Sequence, residues 1–277
     1  MPLVIQTNVA SLQSQKNLNR TQSALAESFN RLSSGYRINS AKDDAAGLAI
    51  SESMKTQIRS YAVAERNAND GISMAQTAEG ALGEITGILG RMRELAMQGS
   101  NGSLTAADRD YLNTEFGSLQ AEVKRIQDST SFNGKALLAT TASTVTFQVG
   151  LAATAADQIS VEFGGLDVAD LVTASTTTLA GSSASASLAA LSTIDDALKN
   201  VSTQRAKYGA AMNRLESTTS TIQTIRLNLS AANSRIRDVD VAEETATLSR
   251  NQVLAQAGAA VLAQANAAPQ MAIGLLR

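Results

Sequence analysis

The sequence predicts a mostly α protein, built as a long antiparallel helical bundle or coiled coil with a small β-hairpin element and a terminal helix pair. Three observations predict it. Val201, Tyr208, Leu215, Ile222, Leu229 and Ile236 are each seven apart, a heptad seam sustained through the second half of the chain. Proline occurs only at Pro2 and Pro269, so nothing between them removes an amide donor from a long helix. Both ends are nearly uncharged: only Lys16 bears a charge from Met1 to Asn17, and none of the 26 residues between Arg250 and Arg277 does. A solvated helix face carries Lys and Glu, so uncharged helices need neighbours on several sides.

The elements follow in order. Residues 3–33 read as a helix with Leu18, Leu25 and Leu32 seven apart and Phe29 beside them. Gly35 breaks it within the polar stretch RLSSGYRINSAKDDAAG. A second helix is expected over 45–99, where Ala78, Leu82, Ile85, Leu89, Met92 and Ala96 recur in steps of four and three. Thr105 with Asp108 three residues on makes an acidic capping box for a third helix, carried by Leu112, Phe116, Leu119, Val123 and Ile126. Asn133-Gly134 reads as the turn that ends it. The period then changes to two: Val145, Phe147 and Val149, then Ile159, Val161 and Phe163, predict a β-hairpin at about 144–163.

Residues 173–187, TASTTTLAGSSASAS, are uncharged and low in complexity and read as an exposed loop. The heptad helix comes next, its d positions including Ala211, Ile225, Ala232 and Val239. In the last stretch Val241, Leu248, Ala255 and Leu262 are again seven apart, with Leu254 and Val261 broadening the face. Gln252, Gln256, Gln264 and Asn266 occupy the rest, and such groups can pack or face confined water without the desolvation cost of a charge. For a lone monomer these ends could equally be a disordered tail. Packing against other copies of the chain is the alternative.

Composition closes several routes to function. With no cysteine there is no disulfide, no thiolate nucleophile and no thiol metal site, and with no histidine the usual neutral-pH base and commonest metal ligand are missing. No enzyme activity and no cofactor are therefore expected. A net charge of −2 without a basic cluster gives no electrostatic reason to bind nucleic acid. No run of about 18 apolar residues predicts a membrane span, and the start lacks a basic n-region, so secretion would use a route without a cleaved signal.

Other motifs have modest readings. Gly83, Gly87 and Gly90 within a helical pattern suggest close helix approach, with a hinge as the alternative. Asp43-Asp44 and Glu243-Glu244 are adjacent positions that point apart, so they read as solvated charge and not as a metal or catalytic pair. Gly164-Gly165 lacks the Gly-Lys-Ser/Thr of a phosphate loop. The Ser/Thr-rich stretch reads as a linker, with O-glycosylation as the sharper alternative.

Two long stretches carry a family resemblance. QTNVASLQSQKNLNRTQSALAESFNRLSSGYRINSAKDDAAGLAIS resembles the N-terminal region of bacterial flagellins, and SRIRDVDVAEETATLSRNQVLAQAGAAVLAQANAAPQMAIGLLR resembles their C-terminal region. Residues 54–138 and 189–232 look similar to flagellin as well, so the resemblance covers most of the chain. It implies a structural subunit, exported by the flagellar type III system, that self-assembles into the extracellular filament for swimming motility.

By resemblance, residues 1–44 with 237–277 map to the inner-core domain, and 45–175 with 189–236 to the bundle around it. Residues 173–188 are then a short variable loop where larger flagellins carry outer domains. Partners implied are further copies of the chain, an export chaperone, and cap and hook-junction proteins. Self-assembly falls to the terminal helices through Leu18, Leu25, Leu32, Val241, Leu248, Leu254, Val261 and Leu262. Arg91, Leu95 and Glu115 match positions that the vertebrate Toll-like flagellin receptor contacts, and Arg91 and Leu95, four apart and one step off the buried stripe, can then be exposed. The alternatives are a hook-filament junction protein and a secreted adhesin.

Overall fold

The computed structural model describes residues 7–168, 171, 177–180 and 184–274. In order, the described elements are α1 (Val9–Ser34), α2 (Ala45–Gly99), α3 (Ala106–Ser129), β1 (Ser131–Phe132), β2 (Lys135–Ala136), β3 (Ser143–Gln148), β4 (Gln158–Phe163), α4 (Ser185–Arg237) and α5 (Val241–Gly274). The chain divides into two compact units: Met1–Ile58 with Leu227–Arg277, and Arg59–Arg226. Helices α2 and α4 supply residues to both.

The core of the 59–226 unit is the one the heptads predict. Ala78, Leu82, Ile85, Leu89, Met92 and Ala96 of α2 are fully buried, as are Phe116 and Val123 of α3. Val201, Tyr208, Leu215 and Ile222 of α4 complete the seam. Alanines at 64, 68, 75 and 78 hold one side of α2 low, so helices approach closely with few aromatics between them. Where an aromatic does enter, it is paired: the Tyr208 ring stacks on Phe163 with centroids 5.5 Å apart. Burial also pushes the Tyr208 hydroxyl pKa upward.

The turn between α2 and α3 is held from both sides. Thr105 and Asp108 form the reciprocal box: the Thr105 amide donates to the Asp108 carboxylate at 3.0 Å, and the Asp108 amide to the Thr105 hydroxyl at 3.3 Å. Arg109, almost wholly buried, donates to the carbonyls of Gly99 and Asn101 at 3.0 Å each. Those carbonyls lie at the end of α2, where the helix leaves acceptors unpaired and its dipole favours a cation.

Strands β3 and β4 pair antiparallel, with Val145 opposite Val161 and Phe147 opposite Ile159. Phe147, Ile159, Val161 and Phe163 turn their period-two face into the core. The Asn133-Gly134 signal has a different meaning from the one expected. Helix α3 ends at Ser129 with Thr130 as its C-cap, and Asn133-Gly134 is the two-residue loop of a second hairpin, pairing Phe132 with Lys135. Their φ angles of 48° and 77° are those a primed turn demands.

Three further expectations are corrected. The first helix begins at Val9, and residues 3–6 lie outside the described residues. Three glycines of α2 do not mark the expected close approach, because a Cβ at Gly83, Gly87 or Gly90 would meet no neighbouring atom within 4 Å. Nor is 173–188 simply an exposed loop: Thr177, Leu179 and Ser187 are buried, and α4 already begins at Ser185. Residues 173–176 and 181–183 lie outside the described residues.

The described residues between Gly164 and Leu179 are held by carboxamides. Gln127 Nε2 donates to the Leu166 carbonyl at 3.2 Å, and Gln120 Nε2 to those of Leu171 and Thr177 at 2.7 and 2.9 Å. Gln204 Nε2 reaches Gly164 O at 2.9 Å, and Asn113 Oδ1 accepts the Leu179 amide at 2.8 Å. The sequence reading missed this role. Asn113, Gln120 and Gln127 are seven apart on the buried side of α3, a polar heptad that could have revealed it.

Candidate assembly surface of the terminal helices

In the unit formed by 1–58 and 227–277, α1 and α5 lie side by side, and each is well delimited. Asn8 caps α1 by accepting the Ser11 amide, and Gly35, at φ 74°, closes it in a left-handed turn whose amide returns to Arg31 O. Asp240 caps α5 through the amides of Ala242 and Glu243. The chain between them is fastened by backbone bonds from Arg37 N to Arg237 O at 2.7 Å and from Val239 N to Gly35 O at 3.1 Å. The Arg237 guanidinium stacks 4.6 Å above the Tyr36 ring, and the buried Ile38 fills the corner.

Along the α1–α5 seam the covered positions follow the helical period, but their chemistry is unusual for a core. On α1 they are Ser11, Ser14, Leu18, Thr21, Leu25, Ser28 and Leu32; on α5 they are Glu244, Leu248, Asn251, Ala255, Gly258, Leu262 and Ala265. The leucines reach only half burial. Polar contacts set the register: Asn8 Nδ2 to Ala265 O at 2.7 Å, Ser11 Oγ to Asn266 Oδ1 at 2.6 Å, and Arg31 Nη1 to Glu244 Oε2 at 3.6 Å. A Cβ on Gly258 would lie 3.4 Å from Leu18 Cδ1, ordinary contact at a point where the helices meet.

Other large apolar side chains point away from the seam. Val9, Leu12, Phe29, Val241, Val253, Leu254 and Val261 are each more than half exposed. Of the eight residues expected to carry self-assembly, the pair therefore brings Leu18, Leu25, Leu32, Leu248 and Leu262 together within one subunit. It leaves Val241, Leu254 and Val261 outward. Val241 thus does not continue the stripe of Leu248, Ala255 and Leu262. Leu254 and Val261 flank a groove of about 250 Å³ whose other wall is Ser14, Asn17, Leu18 and Thr21.

The positions expected at a receptor surface separate. Arg91 and Glu115 are exposed and joined at 2.9 Å, and Glu94 also accepts from Arg91 at 2.9 Å. These two carboxylates, Glu94 first, raise the Arg91 pKa. Leu95 is only 1% exposed and belongs to the α2 core. Its expected exposure is corrected: one step off the stripe in a three-helix core is still inside it.

Among the described residues no helix is long and apolar enough to cross a membrane, and no group of His, Cys, Asp or Glu could hold a metal ion. Comparison with known proteins gives matches that together cover nearly all of the chain. Residues 5–143 match the bacterial flagellin N-terminal helical region, and residues 191–276 the C-terminal helical region. A flagellin of Halalkalibacterium halodurans is 44% identical over 275 residues, covering 99% of this chain and 100% of its own. A Bacillus subtilis flagellin is 41% identical, covering 99% of both. A solved structure described as a flagellar hook-associated protein of Vibrio parahaemolyticus has the same fold, at TM-score 0.60 and 16% identity over 71% of this chain and 100% of that one. End-to-end identity to flagellins does not favour the junction-protein and adhesin readings, and the chain belongs to the bacterial flagellins, the structural subunits of the extracellular flagellar filament.

Proposed function

We propose that this subunit enters its filament through the outward faces of α1 and α5, with Leu254 and Val261 as apolar anchors against neighbouring copies. One observation carries this reading: the terminal pair covers five leucines only by half, among serine, threonine, alanine and glycine, while leaving Val9, Leu12, Phe29, Val241, Val253, Leu254 and Val261 in water. Burying one such side chain contributes roughly 1.5–3 kcal/mol. Several per subunit, repeated along a heterologous, non-closing contact, offset the cost of ordering the helices. On this reading residues 1–44 with 237–277 are the inner-core region, and 45–175 with 189–236 form the wall around it.

Replacing Leu254 or Val261 by Asp tests the proposal. Each is more than half exposed, so the monomer's circular dichroism should be unchanged while seeded polymerisation, read by electron microscopy, is lost. Normal filaments from either variant would sink the anchor assignment. Deletion of 1–30 or 250–277 should likewise leave a helical monomer that does not polymerise.

The same reading has the chain exported by the flagellar type III route, with an export chaperone, the cap and hook-junction proteins as transient partners. A vertebrate Toll-like flagellin receptor would meet Arg91 and Glu115, which are exposed, but not Leu95. Arg91→Ala should then weaken receptor signalling without changing the helical content of the subunit.

A further inference from the structure

Two Asn-Gly pairs occur in the chain, Asn101-Gly102 between α2 and α3 and Asn133-Gly134 between β1 and β2. This dipeptide is the one most open to spontaneous deamidation, because the glycine nitrogen has no side chain shielding it. In that reaction the deprotonated Gly amide nitrogen attacks the Asn side-chain carbon Cγ. A C–N bond forms, the C–NH₂ bond breaks, and ammonia leaves with a proton from water. The resulting five-membered imide is opened by water to an aspartyl or isoaspartyl residue. The net change is Asn plus water to an acid plus ammonia, with hydroxide as the base and no oxidant or reductant.

The two sites present this chemistry with different geometry. The Asn101 side chain is folded back onto its own turn, with Oδ1 accepting the Ser103 amide at 3.1 Å. The ring closed by this bond contains both Cγ and the Gly102 nitrogen, so the two reacting atoms are confined together. The Ser103 N–H also sits on the oxygen that becomes negative when Cγ is attacked, where a backbone donor is most effective. Asn101, Gly102 and Ser103 are all exposed, and nothing stands within 4 Å of a Cβ placed on Gly102. The backbone rotation that closes the imide releases the Asn101 carbonyl from Leu104 N at 3.3 Å and from one of two Arg109 bonds. The Arg109 bond to Gly99 O remains.

Asn133 is held in the opposite sense. Its φ of 48° and the 77° of Gly134 fix a primed turn, whose left-handed backbone turns the glycine nitrogen away from the side chain. Reaching the imide there means undoing the Phe132–Lys135 pairing beside the buried Leu137 and Leu138.

We propose that Asn101 is a self-modification site of this protein, converted to an acid by Gly102 with Ser103 N–H stabilising the developing oxyanion, while the hairpin protects Asn133. The product carries a new negative charge beside the Arg109 guanidinium, which donates to the residue-101 carbonyl at 3.0 Å. In the isoaspartyl form the main chain is one methylene longer at that point, and the carbonyl no longer fits the Arg109 clamp.

The test is an incubation of the full-length soluble protein at mildly alkaline pH, followed by peptide mass mapping and enzymatic isoaspartate detection. A parallel sample is kept unfolded in urea. The expected result is similar conversion at both sites in urea and several-fold faster conversion at Asn101 than at Asn133 in the folded protein. Gly102→Ala should slow the Asn101 reaction several-fold while leaving Asn133 as it was. Conversion at equal rates in the folded protein, faster conversion at Asn133, or an Asn101 rate indifferent to Gly102→Ala would overturn the proposal. None of these outcomes bears on filament assembly, so the two readings stand or fall separately.

Discussion

Glycines 83, 87 and 90 of α2 show how a residue's role depends on what surrounds it. Each costs the helix about 1 kcal/mol relative to alanine, and no neighbour within 4 Å explains the absence of a Cβ. Gly83→Ala and Gly87→Ala should therefore each stabilise the monomer by about 0.5–1 kcal/mol, read as a rise in the thermal midpoint. Lower midpoints would show that these positions are crowded in the folded subunit. The pair Gly164-Gly165 is the contrasting case. A Cβ on Gly164 would lie 2.6 Å from Thr141 O, and both residues have positive φ, so here the missing side chain is required by the fold. Sequence alone cannot separate these kinds of glycine, since the difference lies in atoms more than twenty residues away along the chain.

At the scale of the element, α3 shows how local chemistry fixes a boundary. Its capping box was legible because Thr105 and Asp108 need only each other. The side-chain bond from Thr105, then the one from its amide, hold the Asp108 carboxyl below the ordinary aspartate range. A carboxylate with a depressed folded pKa adds stability that is fully present above its unfolded value and is lost as pH falls through the folded one. Amide exchange in the first turn of α3 should therefore quicken as pH falls below the ordinary aspartate range, after correction for intrinsic rates. In Asp108→Asn this acid-dependent step should vanish; its persistence would place the acid sensitivity elsewhere. The buried side of the same helix was only half legible. The apolar stripe of Leu112, Phe116, Leu119, Val123 and Ile126 marks the core face, whereas apolar periodicity says nothing of Asn113, Gln120 and Gln127. A carboxamide's burial follows from the backbone groups that meet it: for Gln120 and Gln127 these are carbonyls 39 to 57 positions further on, and for Asn113 the amide of Leu179, 66 positions on.

For the whole molecule, the two units differ in how they are filled. The 59–226 unit closes on fully buried Leu82, Ile85, Leu89, Phe116, Tyr208 and Leu215. In the terminal unit α1 and α5 meet through half-buried leucines among serines and small residues. Less apolar area is removed from water in that pair, so it opens at lower free energy. In the free subunit, amide hydrogen exchange should be rapid through α1 and α5 and slow through 78–96 and 201–222. In the filament the terminal helices should become strongly protected. Equal protection of α1 and α5 in both states would contradict the proposed interface.

The sequence by itself determined where the helices and the longer hairpin lie, because periodicity, caps and turns act over a few residues. It also excluded thiol and imidazole chemistry, and through two long matching ends it identified the family. Only the tertiary structure decided which apolar faces are covered. Leu95 moved into the core, Leu254 and Val261 stayed in water, the Ser/Thr-rich segment was tied down at Thr177 and Leu179, and Asn133-Gly134 became a hairpin. The physical reason is that burial belongs to a pair of surfaces and not to a residue. A heptad says that a face seeks a neighbour, and the folded chain alone shows whether that neighbour is already present.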